Sequence, residues 1–450
     1  MALVVTKFGG TSVGSTECIR AVADRLIARK QAGNDVVAVV SAMAHVTDEL
    51  TELAHEMCAE PPEREMDMLL STGEQVSIAL LAMAIAARGL DAVSFTGSQV
   101  GIVTDAVHSK AKIAEVHGDC VRAALGEGRI VIVAGFQGIT GDGQITTLGR
   151  GGSDITAVAI ASDIGADVCE IYSDVEGIYT ADPRVVPDAR KIAELSYEEM
   201  LELAASGAGV LQMRSVEFAR NHGVVIHSRS SFSDAEGTIV KEADVSMEQA
   251  IISGVTLDTS EAKLTIRGVP DRPGIAAKVF GELAKENVNV DMIIQNVSDQ
   301  GIANISFTTP QDDLIRARHV LDRLATELSA REVLVDESIA KVSLVGAGMR
   351  THPGIAARMF EALARSDVNL EMISTSPIRI SCVTSGARAK EAVRALHDEF
   401  GLGKEAITIE KMPSGEGASG SGASREGVSA EGAPGEGVPG RGVPGGDGGA

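Results

Sequence analysis

The feature that most constrains this chain is an internal repeat. Pro273-Gly-Ile-Ala-Ala-Lys-Val-Phe280 recurs as Pro353-Gly-Ile-Ala-Ala-Arg-Met-Phe360, a shift of 80 residues, and 12 of the 21 positions in 273–293 are identical in 353–373. Each copy has an apolar strand before it (Ala262–Arg267, Lys341–Val345) and another beginning near Val288 or Val368. A third strand (Ile302–Thr308, Ile378–Thr384) and a second helix complete the pattern. Self-similarity at this period predicts two copies of a small α+β, βαββαβ unit, over 262–335 and 341–411.

The segment before the repeat, 1–245, alternates short apolar runs with helical patterns. Leu3–Phe8, Val36–Val40, Ala92–Phe95, Ile130–Ala134 and Val168–Tyr172 are β-branched and continuous, as in strands covered on both faces. Helical stretches such as Glu17–Gln31, Glu74–Arg88 and Asp154–Asp163 fall between them. The expected fold is an α/β sandwich on a largely parallel sheet. The segment after the repeat, 412–450, is a different material. Pro413–Ala450 holds 14 Gly, 4 Pro and no aromatic residue, so a disordered tail is expected there.

Lys+Arg is 40 against Asp+Glu 63, a net charge of −23 that argues against nucleic acid or an anionic membrane as partner. The longest apolar run, Ile78–Ala87, is too short to span a bilayer, and Met1–Gly10 holds no signal core. The 5 cysteines form no CxxC and the 9 histidines no HxxxH or HxH, so neither disulfides nor a protein metal site is expected. The chain is expected to be cytoplasmic.

Three motifs carry chemistry. Lys7-Phe-Gly-Gly-Thr-Ser-Val-Gly14 follows the first strand, where Gly9 and Gly10 let amides approach phosphate and Lys7 can reach it. Alone, a glycine turn beside a surface lysine explains it equally well. Thr147-Leu-Gly-Arg-Gly-Gly-Ser-Asp154 opens a helix and offers Arg150 as a carboxylate clamp, with Gly151, Gly152 and Ser153 as anion holders. A cap at Ser153 or Asp154 explains one polar residue there, but not the arginine and paired glycines together. Tyr172-Ser-Asp-Val-Glu-Gly-Ile-Tyr-Thr-Ala-Asp-Pro-Arg184 is a long loop at the C-terminal edge of the sheet, where open α/β sheets bind ligands. Ser41-Ala-Met43 ends a strand, and Ser71-Thr-Gly-Glu74 is read as a helix start. The residues alone describe an α/β enzyme for a phosphorylated ligand and a small carboxylate.

Together these motifs resemble the aspartokinases of actinobacterial type: an amino-acid kinase fold followed by two ferredoxin-like ACT domains. The resemblance covers residues 1 to about 411. It implies ATP with Mg²⁺ carried by the nucleotide, and transfer of the γ-phosphoryl to the β-carboxylate of L-aspartate. Lys7 and Asp154 would be catalytic. Lys7, Gly9, Gly10, Ser41, Ser173, Asp174, Tyr179, Asp182 and Arg184 would hold ATP. Ser41, Thr47, Glu74, Arg150, Gly151, Gly152 and Ser153 would hold aspartate. Asp271, Gly274, Ile275, Ala276, Asp291 and Gln295 would bind an effector, lysine or threonine. The resemblance also implies ACT-to-ACT oligomers and a short subunit started near Met247, within lysine, threonine and methionine synthesis. One departure stands out. Members typically read G-[AS]-K-V-L where this chain reads Gly207-Ala-Gly-Val-Leu211, so Gly209 replaces a phosphate-facing lysine. Lys191 or Arg214 would be the substitutes. A rival function, an amino-acid-sensing regulatory chain, rests on Gly209 alone. Another kinase of the same fold is disfavoured by the two ACT repeats.

Overall fold

The computed structural model describes residues 2–243, 251–297, 301–350 and 352–403. The expectations placed on the tail, on Met247 and on the end of the second repeat lie outside the described residues.

The first part runs, in chain order, β1 (Leu3–Phe8), α1 (Thr16–Gln31), β2 (Asp35–Val40), α2 (Val46–Met57), α3 (Glu63–Ala86), β3 (Ala92–Phe95) and α4 (Gly97–Val100). It continues through β4 (Ile102–Thr104), β5 (Ile113–Val116), α5 (Asp119–Gly126), β6 (Ile130–Ala134), β7 (Gln137–Thr140), β8 (Ile145–Thr147) and α6 (Gly152–Ile164). It ends with β9 (Val168–Ser173), β10 (Glu194–Ser196), α7 (Tyr197–Ala205), α8 (Met213–His222), β11 (Ile226–Ser230) and β12 (Thr238–Lys241). Eight strands form one sheet in the order β10-β12-β11-β9-β1-β2-β6-β3. Every pair in it is parallel except β11 with β12.

Alternation along the central strands divides the core into two layers. Val37, Val39, Val131 and Val133 face α5 and α6. Val36, Ala38, Val40, Ile130 and Ile132 face α1 and α3. This is the αβα sandwich expected from continuous apolar strands. β4, β5, β7 and β8 form a separate four-stranded sheet that the sequence did not announce. The chain leaves β1 for β2 on one side while β9 lies on the other. The strand order therefore reverses at β1, and its C-terminal end opens the crevice where such sheets bind ligands.

The repeat folds as β14 (Glu261–Pro270), α9 (Ile275–Lys285), β15 (Ile293–Val297), β16 (Ile302–Pro310), α10 (Leu314–Glu327) and β17 (Glu332–Asp336). It then repeats as β18 (Ile339–Val345), α11 (Ile355–Arg365), β19 (Met372–Ser376), β20 (Arg379–Ser385) and α12 (Ala389–Glu399). The first sheet has the order β15-β16-β14-β17, all within one copy. The second differs from the contiguous unit expected. Its edge is β13 (Gly254–Asp258), a strand that precedes the first copy and pairs antiparallel with β18. The first copy is thus inserted between the second sheet's edge strand and the rest of that sheet.

A buried cation joins the two sheets. Lys341 on β18 is 1% exposed and lies 2.5 Å from Glu261, 2.7 Å from Asp291 and 3.5 Å from Asp258. Burial pulls its pKa down, but Glu261 and Asp291 outweigh that and hold it raised. The second copy also touches the first part of the chain. His397 Nε2 meets Thr180 Oγ1 at 3.1 Å, Arg394 donates to the Val185 carbonyl at 2.9 Å, and Arg379 pairs with Glu202 at 3.1 Å.

Candidate active site

At the end of β1 the chain makes a glycine turn before a short 3₁₀ turn, Gly10–Val13. A Cβ on Gly9 would stand 3.3 Å from Lys7 Nζ, and one on Gly10 would stand 3.1 Å from the Ala42 carbonyl. The glycines therefore keep the backbone close without displacing the ammonium. Lys7 points toward α6, where its Nζ lies 2.6 Å from Asp154 Oδ1. Both side chains are largely buried, at 13% and 7% exposed.

Helix α6 is buried from Gly152 to Ala161. Its N-cap is Gly151, at φ 74, and no side chain caps it, which removes the capping explanation for Ser153 and Asp154. Gly152, Ser153 and Asp154 line the cavity at the start of the helix, where its dipole favours an anion, although the Gly152 and Asp154 amides already donate to the Gly149 and Gly151 carbonyls. Ser153 Oγ accepts from Ser41 Oγ at 2.9 Å, so the ends of β2 and α6 meet at one point. Arg150 is exposed at the cavity rim and has no side-chain partner among the described residues.

Glu74 comes from α3. Ser71–Glu74 lies inside this helix, not at its start as expected, because the helix begins at Glu63. Glu74 is buried, Oε1 accepts from the Ala42 amide at 3.1 Å, and Oε2 has no partner. Burial pushes its pKa up to about 7, with the Ala42 amide opposing in part. An unpaired buried carboxyl facing a cavity is a receptor for a cation.

The cavity measures about 390 Å³, a size suited to a small metabolite. It brings together Lys7, Gly9, Gly10, Ser41, Thr47, Glu74, Arg150, Gly151, Gly152, Ser153 and Asp154. His45, Asp48, Phe136 and Gln212 also line it, and the sequence reasoning missed them. His45 and Phe136 have φ 69 and 68, strained backbone for side chains of their size, which clusters at functional sites. Phe136 follows a strand end and a glycine, a signal that was available.

Ser173, Asp174, Tyr179, Asp182 and Arg184 do not line this cavity. They leave β9 beside it, since Tyr172 is the register partner of Phe8. Arg184 is 91% exposed and chelates Asp182, which holds that carboxyl below its ordinary range. Tyr179 bridges to Lys191, and its hydroxyl meets Glu176. Neither substitute for the lysine missing at Gly209 is free. Lys191 donates to the Glu236 carbonyl, and Arg214 donates to Leu148 and Ala111 carbonyls at 2.6 and 2.9 Å. Among the expected effector residues, Gly274 caps α9, with Ile275 and Ala276 in its first turn, while Asp271 and Gln295 are exposed. Asp291 pairs through Oδ2 with Lys341 at 2.7 Å, and its side chain stays 34% exposed.

Comparison with known proteins agrees with this geometry. Residues 2–229 match the amino acid kinase family, and residues 264–328 and 342–400 each match an ACT domain. The chain is 55% identical to the aspartokinase of Mycolicibacterium smegmatis over 408 residues, covering 90% of this chain and 97% of that one. It superposes on Escherichia coli aspartokinase III in complex with aspartate and ADP, in its R-state, with a TM-score of 0.75 at 27% identity, covering 88% of this chain and 99% of that one. The lysine and aspartate complex of that enzyme, in its T-state, gives a TM-score of 0.68 over the same shares at 27% identity.

Proposed function

The chain belongs to the amino acid kinase family as an aspartokinase, an aspartate kinase with two ACT domains, and from that premise we propose how its cavity performs the transfer. The observation that carries the reading is the convergence of a cation clamp, an unpaired buried carboxyl and a lysine–aspartate pair at the uncapped start of α6. Arg150 takes the α-carboxylate of aspartate, and Glu74, as carboxylate, takes its ammonium. Thr47 and Ser41 lie along the substrate body. The β-carboxylate is left directed toward Lys7.

ATP enters as its magnesium complex, with Gly9, Gly10 and Lys7 at its terminal phosphates. A β-carboxylate oxygen bonds to the γ-phosphorus as the bond to the β,γ-bridging oxygen breaks, giving 4-phospho-L-aspartate and ADP. Such transfer needs positioning and charge stabilisation more than covalent help. Lys7 neutralises charge on the moving phosphoryl, and Asp154 aims Lys7. Ser173, Asp174, Tyr179, Asp182 and Arg184 serve the nucleoside side once the Arg184–Asp182 chelate opens. We further propose a cytoplasmic enzyme feeding lysine, threonine and methionine synthesis, oligomeric through its ACT units and inhibited by lysine or threonine. The lysine complex of the E. coli relative supports that effector. A shorter product from Met247 would supply a regulatory subunit.

The test is acyl-phosphate formation from aspartate, trapped by hydroxylamine. It is run against glutamate, with and without Mg²⁺, and with and without lysine and threonine. Turnover of aspartate alone, lost without Mg²⁺, is expected. Turnover of glutamate at a similar rate, or none with either, overturns the reading.

A further inference from the structure

We propose that Asp67, which does not line the cavity, is a positioning residue for aspartate recognition, helping to fix the Arg150 turn at a set distance from Glu74. This rests on the reading of Arg150 and Glu74 given above.

Arg150 sits between Gly149 and Gly151, at φ 72 and 74. One hydrogen bond closes the turn, from the Gly152 amide to the Gly149 carbonyl at 2.9 Å, and the two flanking glycines give it little further stiffness. The rest of its rigidity comes from what it lies against, and Arg214 on the Leu148 carbonyl is one such support. A Cβ on Gly149 would stand 3.0 Å from the Ser109 carbonyl, so that carbonyl packs directly on the turn. Ser109 is itself held at φ 64, an uncommon conformation for a residue with a side chain. The group that holds it is Asp67. Its carboxylate is 0% exposed and accepts the Ser109 amide at 3.1 Å, His108 Nδ1 at 2.6 Å and the Thr147 hydroxyl at 2.6 Å. Thr147 ends β8, two residues before Gly149. Asp67 therefore ties both walls of the turn to one point.

That point is on α3, as is Glu74. Seven residues separate them, close to two full turns, so they share a face about 10 Å apart along the axis. One rigid helix thus sets the spacing between the receptor for the ammonium and the support of the receptor for the carboxylate. With the α-carbon pinned at both groups, side-chain length decides whether the distal carboxylate reaches the phosphoryl. A pocket separates substrates differing by one methylene by about 10–200-fold, and only while its walls stay put.

The experiment is steady-state kinetics on aspartate and glutamate at saturating ATP for Thr147→Val, Thr147→Ser, His108→Ala, Asp67→Asn and Arg150→Ala. Thr147→Val, which is isosteric, and Asp67→Asn should raise the aspartate KM about tenfold to a hundredfold. The KM for ATP should stay within twofold, and preference for aspartate over glutamate should fall. Thr147→Ser, which restores the hydroxyl, should recover most of the loss. If Asp67→Asn does not fold, Thr147→Val and His108→Ala carry the test. A raised KM in Arg150→Ala with no change in Thr147→Val and His108→Ala overturns the role of Asp67 alone. An unchanged KM in Arg150→Ala overturns the reading beneath it. Loss confined to kcat, or matched for ATP and aspartate, also refutes the proposal.

Discussion

Glu74 offers a pH test whose size follows from its surroundings. Burial raises its carboxyl from an ordinary 4.5 to about 7. At about 1.36 kcal/mol per pH unit, ionising it in place costs on the order of 3 kcal/mol. An arriving ammonium offsets that cost, so aspartate binds the ionised form. The apparent affinity is the intrinsic one scaled by the ionised fraction. That fraction is about nine-tenths at pH 8 and one-tenth at pH 6, so the aspartate KM should rise about tenfold between them. Aspartate changes no charge over that range, and saturating ATP keeps changes in nucleotide affinity out of the aspartate KM. Glu74→Gln keeps an acceptor for the Ala42 amide but carries no charge. It should flatten the profile and raise KM at pH 8 by about 10–150-fold, the worth of a hydrogen bond to a charged group. The same group acts on stability. Its folded pKa is raised, so its contribution is full below about pH 4.5 and lost as pH rises through about 7. Glu74→Gln should remove that loss in a melting series. An aspartate KM that is flat from pH 6 to 8 refutes the reasoning, as does a tenfold step that persists in Glu74→Gln.

Lys7→Ala should lower kcat by about 10²–10³-fold, since it removes a preorganised charge at the transferring group, and single-turnover assays would read it. Gly209 is exposed and a Cβ there meets nothing within 4 Å, so Gly209→Lys should be accommodated and lower the ATP KM by about two- to fivefold. An unchanged or higher KM counts against a missing cation. Lys341→Met leaves Glu261, Asp291 and Asp258 without their cation and should destabilise the chain by about 3–5 kcal/mol in urea. Part of that loss should return at low pH.

The bounds of β1, β3 and β6 were legible because largely apolar runs ended at Gly9, Thr96 and Gly135. The start of α3 was not. Ser71-Thr-Gly73 reads as a turn by propensity, yet a Cβ on Gly73 would meet the Ala42 side chain at 2.9 Å. Glycine is kept there for close packing, and tertiary contact overrides its cost in a helix. The cavity's charged groups were legible as motifs. Gln212 was not, because only the close approach of its side chain to Gly151 brings it in. The nucleotide-loop residues were recognisable as a set, but Arg184 closes on its near neighbour Asp182, and spacing alone does not reveal such a pairing. β13 has five residues and a partner about ninety positions away, so no local pattern assigns it.

That strand makes the second sheet late to assemble. Gly254 pairs with Val345, so β13 emerges and then waits while the whole first copy and β18 are made. At about 5–20 residues per second, the wait is on the order of 5–20 s. The first copy closes its own sheet in that interval and brings the two ends of its insertion together. Any shortened product must begin upstream of Gly254 to carry this edge. A chain starting at Met247 keeps it, whereas one cut at Glu261 exposes the unpaired flank of β18 and should aggregate.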